Sequence, residues 1–369
     1  MTLPELKRQG MLYENGLRLD GLLAGGGFTK PVGFFKLQFS KCRWLGVLLS
    51  LVLHIPAAAT GADKLIFGWS AIAGSQAVPW ITKEAKLFEK YGLDTTLIYL
   101  DGGSRAIQVL LSGDVPIVQG GGNSPVAARF RGGDVKIIAG IVNVLAYTLV
   151  VNPEIKKPED LRGKKLAISR FGSNSDYATR KILVKWGLTP DKDVAIIQIP
   201  GGQPTRLAAV QNKQVAGLVA QPPVTVLARK ARLNVLAEPS DFGAAYTNTP
   251  IASTGAFLRD RRDIVRRFTR ALVEGIYVYK TQKEFTKRVI AKYMRINDSD
   301  AVEDSYQFFS PLVPAKPYPP MDGIKEVLLE LGEKDPKARS ANPEEFADAS
   351  FVRELDDDGF IDSLYKVKK

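Results

Sequence analysis

A strand–turn–helix–strand pattern occurs twice in this chain, and the repetition constrains the fold more than any other feature. The later copy is centred on Lys164–Lys181 (KKLAISRFGSNSDYATRK), where the apolar run Leu166–Ile168 predicts the end of a buried strand. A turn with one glycine, three serines and an asparagine follows at Ser169–Ser175, and a helix is predicted from Asp176. Such a turn leaves backbone N–H groups and the positive helix end facing outward, which favours an anion. An ordinary turn whose serines cap the helix is the alternative.

The earlier copy begins near Lys64 and has the same order of elements. Apolar runs predict a strand, a helix from about Ala77 to Tyr91 and a further strand. Gly102-Gly103-Ser104 opens the next helix, and Gly201-Gly202 holds the equivalent position in the later copy. Strands that alternate with helices predict βαβ units. We therefore predict an α/β protein with two lobes, each a mainly parallel sheet flanked by helices.

Two segments, Leu145–Val151 and Thr247–Phe257, are predicted to cross between the lobes. They divide the chain into a discontinuous lobe I, residues 63–147 and 252–369, and a lobe II, residues 148–251. Hinge crossings of this kind allow two lobes to close around a ligand. Beyond Leu258 the apolar spacing is helical, and we predict a C-terminal addition that packs on lobe I. Its predicted helices are Arg261–Lys280, Lys283–Met294, Ala301–Phe309, Met321–Leu331 and Phe351–Tyr365.

Residues 1–62 are predicted to be a leader that contains a signal peptide at about 36–59. Basic side chains precede the apolar run Trp44–Ile55, and the small residues of a cleavage site follow it. The run is short for a membrane span, although a retained anchor is the alternative. Cleavage after Ala59 or Ala62 would give an exported mature protein.

Removal of this leader would restrict the available chemistry. Cys42 and His54 are the only cysteine and histidine, and both lie within it. A mature chain without them has no Ser-His-Asp or Cys-His nucleophile, no zinc site of the usual ligands and no disulfide. We therefore predict no catalytic residue, no metal and no cofactor. The leader carries seven basic and three acidic side chains, so a net charge of +8 of the full chain's +12 would remain. This charge is spread along the chain, which argues against a nucleic-acid partner.

The predicted topology also indicates where a ligand would bind. In open parallel sheets, ligands lie beyond the carboxyl ends of the strands. Each predicted lobe has three loops at this edge, and all six loops are rich in Gly, Ser, Asn, Gln or Pro. If the two edges face each other, the loops would enclose a small ligand between the lobes.

Several segments resemble a known family. The clearest are FEKYGLDTTLIYLDGGSRAIQVLLSGDV (88–115), GGGNSPVAA (120–128), PEDLRGKKLAISRFGSNSDYATRKILVKWGL (158–188) and RLAAVQNKQVAGLVAQPP (206–223). In kind and order, they resemble the sulfonate/nitrate/taurine-type substrate-binding proteins of ABC importers, which have the type II periplasmic-binding-protein fold. The resemblance covers nearly the whole chain after the leader.

The resemblance implies a set of ligand-binding positions. They are Trp69, Ser70, Gly103, Ser104, Gly121 and Asn123 in lobe I, and Arg170, Phe171, Ser173, Asn174, Ser175 and Gln221 in lobe II. By chemistry, backbone N–H groups near Gly103 and Ser173 would receive an anionic head group. Trp69, Phe171 or Tyr147 would cover an apolar part of the ligand. The alternative roles are helix caps for Ser104 and Ser173, and core positions for Trp69 and Phe171.

What the resemblance implies about function is a monomeric receptor that captures a small anionic solute. Its partners would be that small-molecule ligand and an ABC permease with its ATPase at the inner membrane. One alternative is an enzyme on the same fold that acts on a small aromatic or heterocyclic substrate through Asp176, Lys164, Tyr177 or Arg170. Another is a sensor that reports ligand occupancy to a membrane kinase. Members that rely on histidine or on a cysteine nucleophile are poor matches, because neither residue follows the leader.

Overall fold

The computed structural model describes residues 61–242 and 245–366, so the predicted leader lies outside the described residues except for Gly61 and Ala62. Within them, the strands are β1 Asp63–Trp69, β2 Leu93–Tyr99, β3 Ile117–Gln119, β4 Lys136–Gly140, β5 Thr148–Val151, β6 Lys165–Ile168, β7 Ala195–Gln198, β8 Gly217–Ala220, β9 Asn234–Ala237 and β10 Pro250–Ser253. The helices are α1 Ala77–Glu84, α2 Leu87–Lys90, α3 Gly103–Leu111, α4 Asn123–Phe130, α5 Asn174–Lys185, α6 Gly202–Gln211, α7 Val224–Lys230, α8 Gly255–Asp260, α9 Arg262–Thr281, α10 Lys283–Met294, α11 Ser299–Phe309, α12 Met321–Leu331, α13 Ser350–Asp357 and α14 Phe360–Tyr365. Short 3₁₀ turns occur at Gly74–Gln76, Pro158–Leu161, Pro239–Phe242, Pro336–Ser340 and Pro343–Phe346.

The described strands form two five-stranded sheets of matching construction. The first has the order β2-β1-β3-β10-β4, and the second has the order β7-β6-β8-β5-β9. In the first sheet β10 runs antiparallel to β3 and β4, and in the second β5 runs antiparallel to β8 and β9. The pairs of β1 with β2 and of β6 with β7 are parallel. The predicted architecture, two α/β lobes of like construction, is confirmed.

The chain passes between the sheets twice, and the two crossing segments run side by side. The backbone N–H of Tyr246 donates to the carbonyl of Asn143 at 2.9 Å, and that of Thr249 donates to the carbonyl of Val142 at 3.2 Å. The strands next to these crossings are the antiparallel ones, β5 and β10. The lobe boundaries predicted at 147/148 and 251/252 stay a prediction.

Helix positions were predicted well, and helix continuity less so. The predictions for Lys283–Met294 and Met321–Leu331 are confirmed. The single helix predicted from Ala77 to Tyr91 is wrong, because Lys86 takes a left-handed conformation, φ 56°, between α1 and α2. The helix predicted over Phe351–Tyr365 is likewise broken into α13 and α14 by Gly359, φ 72°.

The long helix α9 organises the core of the first lobe. It packs across α1 and α2, and the Phe268 ring stacks between Phe67, at 5.4 Å, and Phe88, at 5.6 Å. Gly275 allows close approach to α1, because a Cβ at this position would overlap Thr82 Oγ1. None of the described helices combines the length and the apolar character needed to cross a lipid bilayer.

The C-terminal helices pack mainly, but not solely, on the first lobe. Helix α12 contacts α4 there, whereas α11 also contacts α7, which follows β8 of the second sheet. At that contact Lys230 Nζ lies 2.7 Å from Asp298 Oδ2 and 3.0 Å from Asp300 Oδ2. The expectation that the addition packs on lobe I is therefore incomplete.

The position of Phe268 leads to a stability prediction. Because its ring is fully buried between two other rings, Phe268→Ala should lower the free energy of unfolding by about 3–5 kcal/mol. Phe171→Ala is a matched control, since the Phe171 side chain is 49% exposed, and it should change stability by about 0.5 kcal/mol or less. Urea unfolding of both variants measures this difference. Equal losses in the two variants would contradict the stacking of Phe268 in the core.

Candidate functional site

A narrow cavity of about 30 Å³ lies where the loops of the two lobes meet. The loops after β1, β2, β3, β6 and β8 contribute to its lining, and the helix α6 contributes after β7, which agrees with the sheet topology. The lining from the first lobe and the first crossing is Ser70, Ala71, Ser75, Gln76, Asp101, Gly102, Gly103, Gly121 and Tyr147. The lining from the second lobe and the return crossing is Ser169, Ser173, Asn174, Ser175, Gln203, Arg206, Gln221, Asn248 and Thr249.

Seven of the twelve ligand-binding positions implied by the resemblance line this cavity. They are Ser70, Gly103, Gly121, Ser173, Asn174, Ser175 and Gln221. Tyr147, which we expected to cover an apolar part of a ligand, lines it as well. Burial raises the pKa of Tyr147 to about 12, so its hydroxyl stays protonated and able to donate.

The other five positions lie outside the lining. Trp69 is a core residue that packs against Trp80 and Tyr99, with ring centroids 4.9 and 4.7 Å away. Phe171 is half exposed and lies near the Arg180 guanidinium. The remaining three are Ser104, Asn123 and Arg170.

Three serine hydroxyls form a triangle at the start of α5. The Oγ atoms of Ser169, Ser173 and Ser175 lie 2.9 to 3.0 Å from one another. Ser173 is also the N-cap of α5, because its Oγ accepts from the backbone N–H of Asp176 at 3.4 Å. From the sequence, a helix cap and a residue of the ligand site were alternative roles for Ser173. In the structure, Ser173 both caps α5 and lines the cavity.

Direct hydrogen bonds join the two lobes around the cavity. On one side, the Asp101 carbonyl accepts from Arg170 Nε at 2.8 Å, and its Oδ2 accepts from Gly201 N–H at 3.1 Å. On a second side, Gly122 N–H donates to Asn174 Oδ1 at 2.7 Å. Close by, the Ser124 hydroxyl at the start of α4 donates to the carbonyl of Gly172, in the turn before α5, at 2.8 Å.

The third connection joins the loops that follow β1 and β8. Ser75 Oγ donates to Gln221 Oε1 at 2.7 Å, and Gly74 N–H donates to the Pro222 carbonyl at 3.2 Å. The loops after β1, β2 and β3 are thus each held by two hydrogen bonds to the second lobe. The groups around the cavity therefore hold one another in position through hydrogen bonds.

The charged centre of the cavity is Arg206, which is 3% exposed. Its Nη1 donates to the carbonyl of Ile199 at 3.1 Å. Within the described part of the chain the guanidinium makes no ion pair, and its Nε has no hydrogen-bond partner. Burial lowers the pKa of Arg206, and the negative charge of Asp101 acts in the opposite direction. A buried cation in this state is costly unless an anion pairs with it.

Asp101 is the carboxylate of the lining, and its oxygens already have partners. Oδ1 accepts from the Tyr99 hydroxyl at 2.7 Å, and Oδ2 accepts from Gly201 N–H. Two other buried N–H groups of the lining do lack partners, namely Gln221 Nε2 and Asn248 Nδ2. Together with Arg206 Nε they make three unpaired side-chain donors, and among the described lining residues no buried side-chain acceptor lacks a partner. The cavity is therefore suited to a ligand rich in acceptors.

Sequence reasoning missed Arg206, Gln203, Asp101 and Asn248 as lining residues. For α6 a signal existed, because Gln203, Arg206, Leu207 and Val210 share one helical face by their spacing, and all four are buried. Polar side chains among apolar ones on a buried face indicate a function inside the fold. Asn248 carried no such signal, because the return crossing brings it to the cavity.

Known proteins share this architecture. The family model described as NMT1/THI5 like matches residues 79–284. The taurine-binding periplasmic protein of Escherichia coli (strain K12) is 26% identical over 182 residues, which are 48% of this chain and 55% of that protein. The chain therefore spans about half the length of the curated relative that it matches.

The solved structures with this fold include two solute-binding proteins. The alkanesulfonate-binding protein SsuA from Xanthomonas axonopodis pv. citri bound to MOPS has a TM-score of 0.62 at 17% identity, covering 77% of this chain and 96% of that chain. The periplasmic nitrate-binding protein NrtA from Synechocystis PCC 6803 has a TM-score of 0.69 at 13% identity, covering 83% of this chain and 91% of that chain. At these identities the likeness concerns the fold, and it confirms the fold that the sequence resemblance implied. Because the family model covers more than half of the chain, the protein belongs to the NMT1/THI5-like family.

Proposed function

We propose that this protein is an exported, monomeric receptor of an ABC importer. It captures a small anionic solute between its lobes in the periplasm and delivers the solute to a membrane permease that works with an ATPase. The cavity is lined by residues of both lobes, so a solute enters it when the loops move apart, and the paired crossing segments are the natural hinge for that movement.

The observation that carries this proposal is the state of Arg206. A buried guanidinium with an unpaired Nε and no ion pair among the described residues is stabilised when an anion enters the cavity. The serine triangle and the free amide N–H groups supply further donors around that charge. The named relatives support the same solute class, because a taurine-binding, an alkanesulfonate-binding and a nitrate-binding protein each bind a compound with negatively charged oxygens.

An enzyme on the same fold is the competing proposal, and the positions of its candidate residues favour the receptor. Among the described residues, the cavity lining contains none of these candidates, which are Asp176, Lys164, Tyr177 and Arg170. Asp176 accepts from Gly172 N–H and Arg180 Nε, and Tyr177 stacks on Tyr246. A receptor releases its ligand unchanged, so incubation with a bound ligand followed by mass spectrometry separates the two proposals.

Arg206→Met tests the charge at the centre of the site. Loss of a hydrogen bond to a charged group costs about 1.5–3 kcal/mol, so affinity for the bound anion should fall by about 10- to 150-fold. The free energy of unfolding of the unliganded protein should stay level or rise, because an unpaired buried charge is removed. The measurement is calorimetry with nitrate, sulfate, taurine and ethanesulfonate as probes.

Arg105→Met is the matched control for this experiment. Arg105 lies in the first turn of the first-lobe helix α3, is half buried and does not line the cavity. Its affinity should stay within about twofold of wild type, since surface substitutions away from a site have small effects. Equal affinities for Arg206→Met and wild type would remove Arg206 from the site, and no binding of any anion by wild type would contradict the proposed solute class.

The serine triangle gives a separate prediction. Ser173→Ala and Ser175→Ala should each weaken anion binding by several-fold to a hundredfold, because each removes a hydroxyl from the cavity. Ser173→Ala should also lower stability by about 1 kcal/mol through loss of the N-cap. Ser104→Ala is the control, since Ser104 lies near the start of α3 but outside the lining. Calorimetry that finds wild-type affinity in both lining variants would exclude the triangle from binding.

Export can be tested on the protein made in its own cells. We expect the recovered mature protein to begin at Thr60 or Asp63, after signal cleavage, and to be released with the periplasmic fraction. N-terminal sequencing of that fraction measures the start. Recovery of the protein from the cytoplasm with residues 1–60 intact would refute export.

A further inference from the structure

Two of the unpaired N–H donors in the cavity belong to side-chain amides whose oxygens are occupied. Asn248 and Gln221 are each about 1% exposed, line the cavity and have an unpaired amide nitrogen. In each case the amide oxygen accepts a hydrogen bond that leads back to the first lobe. The orientation of both amides is therefore connected to contact between the lobes.

The connection to Asn248 runs through Asn174. Gly122 N–H of the first lobe donates to Asn174 Oδ1 at 2.7 Å. Asn174 Nδ2 then donates to the backbone carbonyl of Asn248 at 2.7 Å and to its Oδ1 at 2.8 Å. A backbone N–H can only donate and a backbone carbonyl can only accept, so the Asn174 amide has one allowed orientation. This orientation holds Asn248 Oδ1 towards Asn174 and leaves Asn248 Nδ2 free for the cavity.

Gln221 shows the same arrangement across the cavity. Ser75 Oγ of the first lobe donates to Gln221 Oε1 at 2.7 Å, and Gln221 Nε2 is left without a partner. Gln221 Oε1 accepts directly from a first-lobe hydroxyl, whereas Asn248 Oδ1 accepts from Asn174, which is itself held by the first-lobe Gly122 N–H. In both cases the occupied amide oxygen leaves the N–H side of the amide for the ligand. An amide in the reverse orientation would present its oxygen to an anion, which is repulsive.

We infer that Asn248 contacts the ligand directly and that Asn174 is a positioning residue acting through it. Lobe contact at Gly122 fixes the Asn174 amide, and Asn174 in turn directs Asn248 Nδ2 at the bound anion. Ser75 positions Gln221 in the same way. This inference rests on the proposed function, since it deepens the description of the same anion site. It assigns a ligand-binding role to the return crossing, so that closure and donor orientation are coupled.

The first test compares substitutions of Asn248 by calorimetry with nitrate and taurine as probes. Asn248→Ala removes the donor and should reduce affinity about tenfold to a hundredfold. Asn248→Asp keeps the shape but turns a carboxylate oxygen to the cavity, so it should bind more weakly than Asn248→Ala. If Asn248 had only a structural role, Asn248→Asp, which keeps the shape of the side chain, would not bind more weakly per folded molecule than Asn248→Ala. Asn248→Ser replaces either variant that fails to fold, and thermal unfolding reports the folded fraction.

The second test is a double-mutant cycle between Asn174 and Asn248. Asn174→Ala should weaken binding in wild type and weaken it less in Asn248→Ala, because its action through Asn248 is already lost. Tyr246→Phe is the matched control. It removes the 3.1 Å hydrogen bond from the Tyr246 hydroxyl to Asn174 Oδ1 but leaves both Gly122 N–H and Asn248 in place. Its affinity should stay within about threefold of wild type.

The outcomes separate this inference from the proposed function. If wild type binds a probe and both Asn248 variants bind it as tightly as wild type does, Asn248 is not a ligand contact. The inference is then overturned, while the proposed function stands. An equal effect of Asn174→Ala in both backgrounds overturns the positioning role of Asn174. If wild type binds none of nitrate, sulfate, taurine and ethanesulfonate, the proposed anion-binding function fails and this inference fails with it.

Discussion

Each sheet takes its antiparallel strand from chain that has just left the other sheet, and the site depends on this exchange. β5 follows β4 of the first sheet, and β10 follows β9 of the second. The exchange holds the two lobes together through paired crossing segments. It also turns the carboxyl ends of the parallel strands of one lobe towards those of the other. Loops that are far apart in sequence therefore meet around one small volume.

The meeting of the loops accounts for the electrostatics of the cavity. Six hydrogen bonds between the lobes use acceptors and donors that water would otherwise satisfy. The groups left over are N–H donors, including the Nε of a buried guanidinium. In such a low-dielectric site a single cation has a strong effect, and binding of an anion relieves the cost of its burial. In the proposed receptor, affinity and closure would therefore depend on the same set of contacts.

The orientation of the amide side chains determines whether they present donors or acceptors to the cavity. A serine or arginine can serve a ligand in several orientations, whereas an amide offers a donor on one side and an acceptor on the other. Asn174 and Ser75 occupy the acceptor sides of Asn248 and Gln221. The polarity that a ligand meets is therefore determined by neighbours of the ligand-facing residues as much as by those residues themselves.

The sequence by itself determined the fold class, the two matching lobes and the loops that line the cavity. These follow from apolar periodicity and from glycine- and serine-rich turns, which are local properties of the chain. It also indicated the loop of Ser173, Asn174 and Ser175 as one side of the site. Breaks such as Lys86 were missed because a single left-handed residue leaves the apolar spacing unchanged.

Only the tertiary structure decided which of these side chains reach the cavity. Trp69 and Phe171 looked alike as aromatic residues at strand ends, yet one packs in the core and the other is half exposed. Arg206 reached the cavity because the buried face of α6, which packs on β8 of its own lobe, also borders the cavity, and Asn248 reached it through the return crossing. Which residues make contact when they are far apart in the sequence is determined by packing and by the pairing of buried polar groups. Those constraints act between segments, so no local pattern of residues contains them.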